Sequence, residues 1–295
     1  MLARILVPLD GSSLSERVLP IAQRLAQSFD AKIDLLYVIP TPTDEIPEAL
    51  TIQATEDGKH YLEKISRHLT GSPSKAQASY SVQVGHPASL IIEQAESQPG
   101  SLVLMSTHGY SGLKKLLLGS TAGKVVQAAN SPVLLVPAGA TNPEGKLVEF
   151  KKAIVPLDGS RLAECVLPLV VHMCKVLEME LILVRSYNPS FPGTSVRMHD
   201  VSQIVHDAAE NYVKEKAREL QGAGLRNISY EVLRGVPAEQ ITDLALATPN
   251  SLTAMCTHGR HGVSRWLLGS VTNAVLHCAE EPVLVVRGSG VETEY

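Results

Sequence analysis

The chain has 295 residues, 44% hydrophobic and 19% charged, a balance typical of folded domains and unlike that of disordered segments. Its formal net charge of -4 at pH 7 leaves no basic excess, which argues against a nucleic-acid binder, so any bound anion must be captured locally. The length predicts about two domains.

The strand-like run Arg4-Ile5-Leu6-Val7 follows Met1 after two residues, predicting no signal peptide. No apolar stretch approaches the roughly 20 residues of a membrane span. The expected location is the cytoplasm, with no membrane partner. In chain order, short β-branched runs at 5–9, 33–39, 78–82, 102–105 and 133–136 predict five strands. Several are almost wholly apolar, as suits strands covered on both faces of a parallel sheet. Between them Leu14, Val18, Ala22 and Leu25 fall at helical spacing, as do Tyr61, Leu62, Ile65 and Leu69. Ser13-Leu14-Ser15-Glu16 has capping-box spacing for the first helix. Pro20 then falls inside it and predicts a kink, with a later helix start as the alternative.

The second half repeats the first. Val7-Pro8-Leu9-Asp10-Gly11-Ser12 recurs as Val155-Pro156-Leu157-Asp158-Gly159-Ser160, and Pro20 as Pro168. Gly85, Pro87 and Ala88 return as Gly235, Pro237 and Ala238; Thr107-His108-Gly109 as Thr257-His258-Gly259. Leu118-Gly119-Ser120 returns as Leu268-Gly269-Ser270, and Pro132-Val133-Leu134 as Pro282-Val283-Leu284. Ile204, Ala208, Tyr212 and Val213 supply the matching helical pattern. So long a period marks a duplicated domain and not a solenoid. The expected boundaries are 1–140 and 150–289, joined by a Gly/Asn/Pro-rich linker at 138–146. Strands alternating with helical crossovers predict an α/β fold: two tandem doubly wound domains, each a five-stranded parallel sheet flanked by helices. Cys165, Cys174, Cys256 and Cys278 form no C-x-x-C pair and are expected to be buried structural thiols.

Open α/β sheets bind ligands at the carboxyl ends of strands, where strand order reverses. Two segments leave such ends: Pro8-Leu9-Asp10-Gly11, and the turn from Ser106-Thr107-His108-Gly109 through Gly112 to Gly119-Ser120-Thr121, which opens a helix. Glycine lets backbone approach a ligand closely. A helix start offers free N–H groups and a positive dipole end to phosphate. No lysine follows Gly119 as a P-loop requires, and the first turn lacks the dinucleotide fingerprint. Asp10 and Asp158 read either as ligand contacts or as helix caps, a role that Ser12 and Ser13, or Ser160, can already fill; Gly112 and Gly262 read equally as ligand contacts or turn residues. His108 and His258 have no evident catalytic partner and read as turn or packing residues.

Gly109, nine residues, Gly119-Ser120 and a Pro132-Val133-Leu134 strand resemble the nucleotide-binding signature of universal stress proteins. Gly259, nine residues, Gly269-Ser270 and Pro282-Val283-Leu284 repeat it, so the resemblance spans nearly the whole chain. The family signature has a further glycine where Ser106 and Cys256 stand. The resemblance implies a Rossmann-like, adenine nucleotide alpha hydrolase-like fold and ATP as ligand, with ADP and AMP as alternatives and Mg as an accompanying ion. It implies Asp10 and Asp158 near the ribose, and backbone of Val38 and Ser186 toward the adenine. Gly109, Gly119 and Ser120 would cradle the phosphates, as would Gly259, Gly269 and Ser270. Pro8, Ser106, Thr107, His108, Gly112 and Thr121 would line the same nucleotide site, as would Pro156, Cys256, Thr257, His258, Gly262 and Val271.

The leading expectation is a nucleotide-binding stress or signalling protein, at most a slow ATPase. A nucleotide-independent scaffold is the alternative, and an adenylyl-transferring or pyrophosphate-cleaving enzyme a distant third. The last strands, 133–136 and 283–286, are apolar edges expected to pair between the halves; a homodimer is a further option.

Overall fold

The structure, a computed structural model, describes residues 2–41, 48–71, 77–107, 118–137, 139–140, 149–188, 198–257 and 268–288. The chain divides into two compact units, Met1–Val148 and Glu149–Tyr295. In the first unit the strands are β1 (Arg4–Leu9), β2 (Lys32–Pro40), β3 (Ala78–Gly85), β4 (Ser101–Ser106) and β5 (Val133–Val136). The helices are α1 (Ser13–Glu16), α2 (Leu19–Phe29), α3 (Glu48–Gly71), α4 (Pro87–Glu96) and α5 (Ser120–Ala128). The sheet is parallel with order β3-β2-β1-β4-β5. Strands β1, β4 and β5 are buried along nearly their whole length, which explains their unbroken apolar runs.

The chain moves outward from β1 through β2 to β3, then crosses back to β4. Right-handed crossovers put α1, α2 and α3 on one face and α4 and α5 on the other. Bonds between helices join the first group: Gln23 Nε2 donates to the Leu69 carbonyl and the Tyr61 hydroxyl to Glu16. At the opposite end of the sheet from the strand exits, buried Arg4 pairs with Asp34, which also accepts from Ser79.

The second unit repeats the plan with β6 (Lys152–Pro156), β7 (Glu180–Tyr187), β8 (Ile228–Arg234), β9 (Ser251–Cys256) and β10 (Val283–Val286). Its helices are α6 (Arg161–Glu164), α7 (Leu167–Leu177), α8 (Met198–Gly222), α9 (Pro237–Leu246) and α10 (Ser270–Cys278). Its strand order is β8-β7-β6-β9-β10, again parallel. Each unit is thus a doubly wound α/β domain. Among the described residues, no helix is long and apolar enough to cross a membrane.

Several local expectations need correction. Pro20 does not kink one long helix: α1 ends at Glu16, and α2 starts anew at Leu19 with Pro20 in its first turn. Pro168 does the same in α7. Proline is tolerated there because a first-turn N–H has no partner inside the helix to lose. The cap of α1 is Ser12, not Ser13, and it accepts from the Ser15 N–H at 3.1 Å. Glu16 turns instead to Tyr61, so the capping box does not form. On α8 the core stripe is Ala209, Val213 and Ala217, while Ile204 is exposed. Cys174 and Cys256 are buried as expected, but Cys165 is half-buried and Cys278 exposed at the end of α10. Burial pushes the Cys174 thiol up to about 12.

Just after α10, Glu281 sits half-buried in a cleft lined by Thr242, Ala245 and Leu246 of α9 and Val275 of α10. Burial, reinforced by Glu280, raises its carboxyl pKa from 4.5 to about 7. A carboxyl raised in this way holds a proton in the native state that the unfolded chain releases. Stability therefore falls as pH rises between those two values, and the deficit persists above them. Glu281→Gln is expected to melt higher than wild type at pH 8 and level with it near pH 4, in thermal unfolding followed by circular dichroism. Equal melting at both pH values would refute this.

Candidate functional site

The reversal of strand order lies between β1 and β4, where neighbouring strands are followed by connections that run to opposite sides. Three segments meet at the carboxyl end of this region. The first is Asp10-Gly11-Ser12, leaving β1 past Pro8. Gly11 has φ +81°, a left-handed conformation that favours glycine and makes the sharp exit. Asp10 Oδ1 accepts from the Ser12 N–H at 3.0 Å and the Ser12 hydroxyl at 2.6 Å. Asp158 repeats this with Ser160 at 2.9 and 2.6 Å, beyond Pro156. The aspartates therefore do not cap the helices. They fix the serines that do, and in return are held at the exposed mouth of the strand ends.

The second segment is the far end of β2. The Lys32 N–H donates to the Ala3 carbonyl on the β1 side, and the Ile33 N–H to Gln77 on the β3 side. Peptide groups alternate along a strand, so the even-numbered residues of β2 turn theirs toward β1. The β1–β2 register ends at Leu9↔Tyr37, whereas β2 runs on to Pro40. The Val38 peptide thus faces the side where β1 is ending. Ser186 holds the matching position, two residues past the last pair, Pro156↔Val184; its hydroxyl donates to the Gly235 carbonyl at 3.2 Å.

The third segment is the end of β4 and the start of α5. Ser106 and Thr107 are buried, as are Cys256 and Thr257. The Thr107 N–H donates to the Val136 carbonyl at 3.1 Å, and its own carbonyl accepts from Gly119 N–H at 2.8 Å. The chain therefore leaves at Thr107 and returns at Gly119 to the same spot. Thr257 makes the same pair of bonds with Val286 and Gly269. Gly119 is the N-cap of α5, with φ -57° and ψ 148°, and Gly269 caps α10 with φ -55° and ψ 143°. Any residue can adopt these angles, so turn geometry does not require glycine here. What glycine provides is an N-cap with no side chain to occupy the first-turn N–H groups of Ser120, Thr121 and Ala122, or of Ser270, Val271 and Thr272.

His108, Gly109, Gly112, His258, Gly259 and Gly262 lie outside the described residues. The remaining predicted positions gather at the strand ends of their own half. Sequence reasoning missed Tyr61 and Tyr212, which brace the first-strand loops from α3 and α8 by donating to Glu16 at 2.9 Å and Glu164 at 2.6 Å. Burial, with the neighbouring glutamate, raises both phenol pKa values. The recurrence of Tyr with Glu at matched places in both halves was the available signal. Thr272 was missed too: its hydroxyl donates to the Cys256 carbonyl at 2.8 Å and ties α10 to β9.

Chemically, each half presents helix-start N–H groups for an anion, a carboxylate for hydroxyl donors, and a strand-edge peptide for a heteroaromatic edge. Elsewhere, His206, Asp207 and Glu210 on α8 bring metal-capable atoms within 4.8 Å of one another. This is a partly exposed helix-surface cluster in which Gln203 also donates to Asp207 at 2.7 Å.

A sequence profile described as the Universal stress protein family matches residues 1–137 and 149–287. A universal stress protein of Methanocaldococcus jannaschii is 32% identical over 139 residues, covering 45% of this chain and 81% of that protein. One from Mycobacterium tuberculosis is 25% identical over 256 residues, covering 84% of this chain and 83% of its own length. The crystal structure of a universal stress protein from Archaeoglobus fulgidus DSM 4304 superposes with a TM-score of 0.73 at 20% identity, covering 97% of this chain and 98% of that one.

Proposed function

The chain belongs to the universal stress protein family, and from that premise we propose that it is a cytoplasmic stress-response protein whose halves each hold an adenine nucleotide. ATP is the reference ligand, with ADP and AMP as alternatives and Mg as an accompanying ion, and occupancy alters conformation or partners. The observation that carries this reading is a glycine-capped helix start beside the strand-order reversal, present in both halves. The N–H groups of residues 120–122 and 270–272 would take phosphate oxygens, Asp10 and Asp158 the ribose hydroxyls, and the peptides of Val38 and Ser186 the base. His108, Gly109, Gly112, His258, Gly259 and Gly262 join this assignment on their motif alone.

A helix dipole contributes about 0.3–1 kcal/mol at an exposed site and each N–H bond to a phosphate oxygen about 1.5–3 kcal/mol, whereas micromolar binding needs about 8 kcal/mol. One or two such bonds fall short, so contacts to base and ribose supply the remainder. The direct test is to denature protein purified from cells and analyse the supernatant for adenine nucleotides, then to titrate ATP by calorimetry with and without Mg. Released nucleotide or saturable heat is expected. Neither appearing at millimolar ATP would leave a nucleotide-independent scaffold as the better account.

A further inference from the structure

The two halves differ in charge where they brace the first-strand loop. In the first, Tyr37 stands against that loop: a Cβ at Gly11 would lie 3.8 Å from Tyr37 Cε2. Tyr37 packs edge-on against Tyr61, ring centroids 5.7 Å apart. In the second half the same strand position is Arg185, whose guanidinium lies 5.0 Å from the centroid of the Tyr212 ring. Glu164, the acceptor of the Tyr212 hydroxyl, is also paired with Lys216 Nζ at 3.0 Å. Lys216 is largely buried, and its counterpart in α3 is the buried Ile65. Lys216 is itself held by Glu219 at 2.7 Å, so the net addition beside Tyr212 and Glu164 is the Arg185 guanidinium, at the position where the first half sets Tyr37.

Resting on the nucleotide reading above, we infer that the halves are unequal nucleotide sites: the second is the stronger, with Arg185 as its charge determinant. Arg185 directly precedes Ser186, whose peptide is assigned to the base, and its guanidinium lies over the ring of Tyr212, which donates to Glu164 beside the first-strand loop. A polyphosphate brings several negative charges toward each loop. In the second half the Arg185 guanidinium offsets part of that charge. In the first half the neutral Tyr37 stands in its place. Arg185 acts through the field and touches no reacting atom.

The test uses the full chain with one half blocked at a time, by Gly119→Asp or Gly269→Asp, and ATP titrated by calorimetry at two salt concentrations. The chain with only its second site open is expected to bind ATP about tenfold more tightly than the one with only its first. Adding Arg185→Gln to the former should weaken ATP by about three- to tenfold and flatten its salt dependence, whereas Arg185→Lys retains most of the affinity. In the chain with only its first site open, Tyr37→Arg should strengthen ATP, and this arm decides the matter if Arg185→Gln does not fold. Equal halves, or affinities indifferent to the charge at positions 37 and 185, overturn the inference and leave the nucleotide reading intact. No ATP binding by the wild-type chain overturns both.

Discussion

A chain carrying both Gly119→Asp and Gly269→Asp is expected to bind ATP at least about a hundredfold more weakly than wild type, a loss of about 2.7 kcal/mol, while still folding. The angles at both positions are open to any L-residue, so the substitution introduces no backbone strain. Aspartate is a favoured N-cap, and its carboxylate accepts from the first-turn N–H groups while sitting at the positive end of the helix dipole. The helix is therefore kept, or stabilised by roughly a few tenths of a kcal/mol. The anion site loses its donors and gains a negative charge. Hydrogen bonds to charged groups are worth about 1.5–3 kcal/mol each, so losing even one or two accounts for the drop. Calorimetric ATP titration beside a thermal melt checks both halves of the statement. ATP affinity unchanged in a folded double variant would remove α5 and α10 from the site.

The second large effect is on stability. Leu104→Ala in β4 is expected to destabilise the first domain by about 2–5 kcal/mol and to lower its melting temperature by about 8–15 °C. Leu104 is fully buried and lies in register with Leu134 of β5, while β1 flanks β4 on its other side. Neighbours on both sides of a parallel sheet cannot collapse into the space that the leucine leaves. Because β4 ends at Ser106 and leads directly into Thr107, nucleotide affinity of the first half should fall with its stability. Leu50→Ala is the control: Leu50 is 61% exposed on α3, and its truncation should stay within about 0.5 kcal/mol. Scanning calorimetry compares the two. Equal melting of Leu104→Ala and wild type would mean that the β4 core is not packed as described.

Much of this was legible in the residues. The apolar runs of β1, β4 and β5 announce strands because parallel strands are buried on both faces. The recurrence of Asp10-Gly11-Ser12 and Gly119-Ser120 declares a duplicated architecture and marks its two loops. The capping-box spacing pointed to Ser13, although Ser12 and Ser13 are equally good caps on paper. What separates them is that Asp10 holds Ser12 by two hydrogen bonds. The proline kink was misread for a related reason: Leu14 to Leu25 keep helical spacing across the break, and periodicity cannot see a restart of the same phase.

The sequence by itself determined the duplicated α/β domain, the order of its elements and the family, since local burial patterns and short turn motifs are written in neighbouring residues. Only the tertiary structure decided that Val38 and Ser186 turn their peptides toward the ends of β1 and β6, because that depends on register between strands far apart in the chain. It also decided that Tyr37 faces Tyr61 whereas Arg185 lies over Tyr212. These contacts join strand to helix across loops whose length the intervening sequence does not constrain, so no local pattern could announce them.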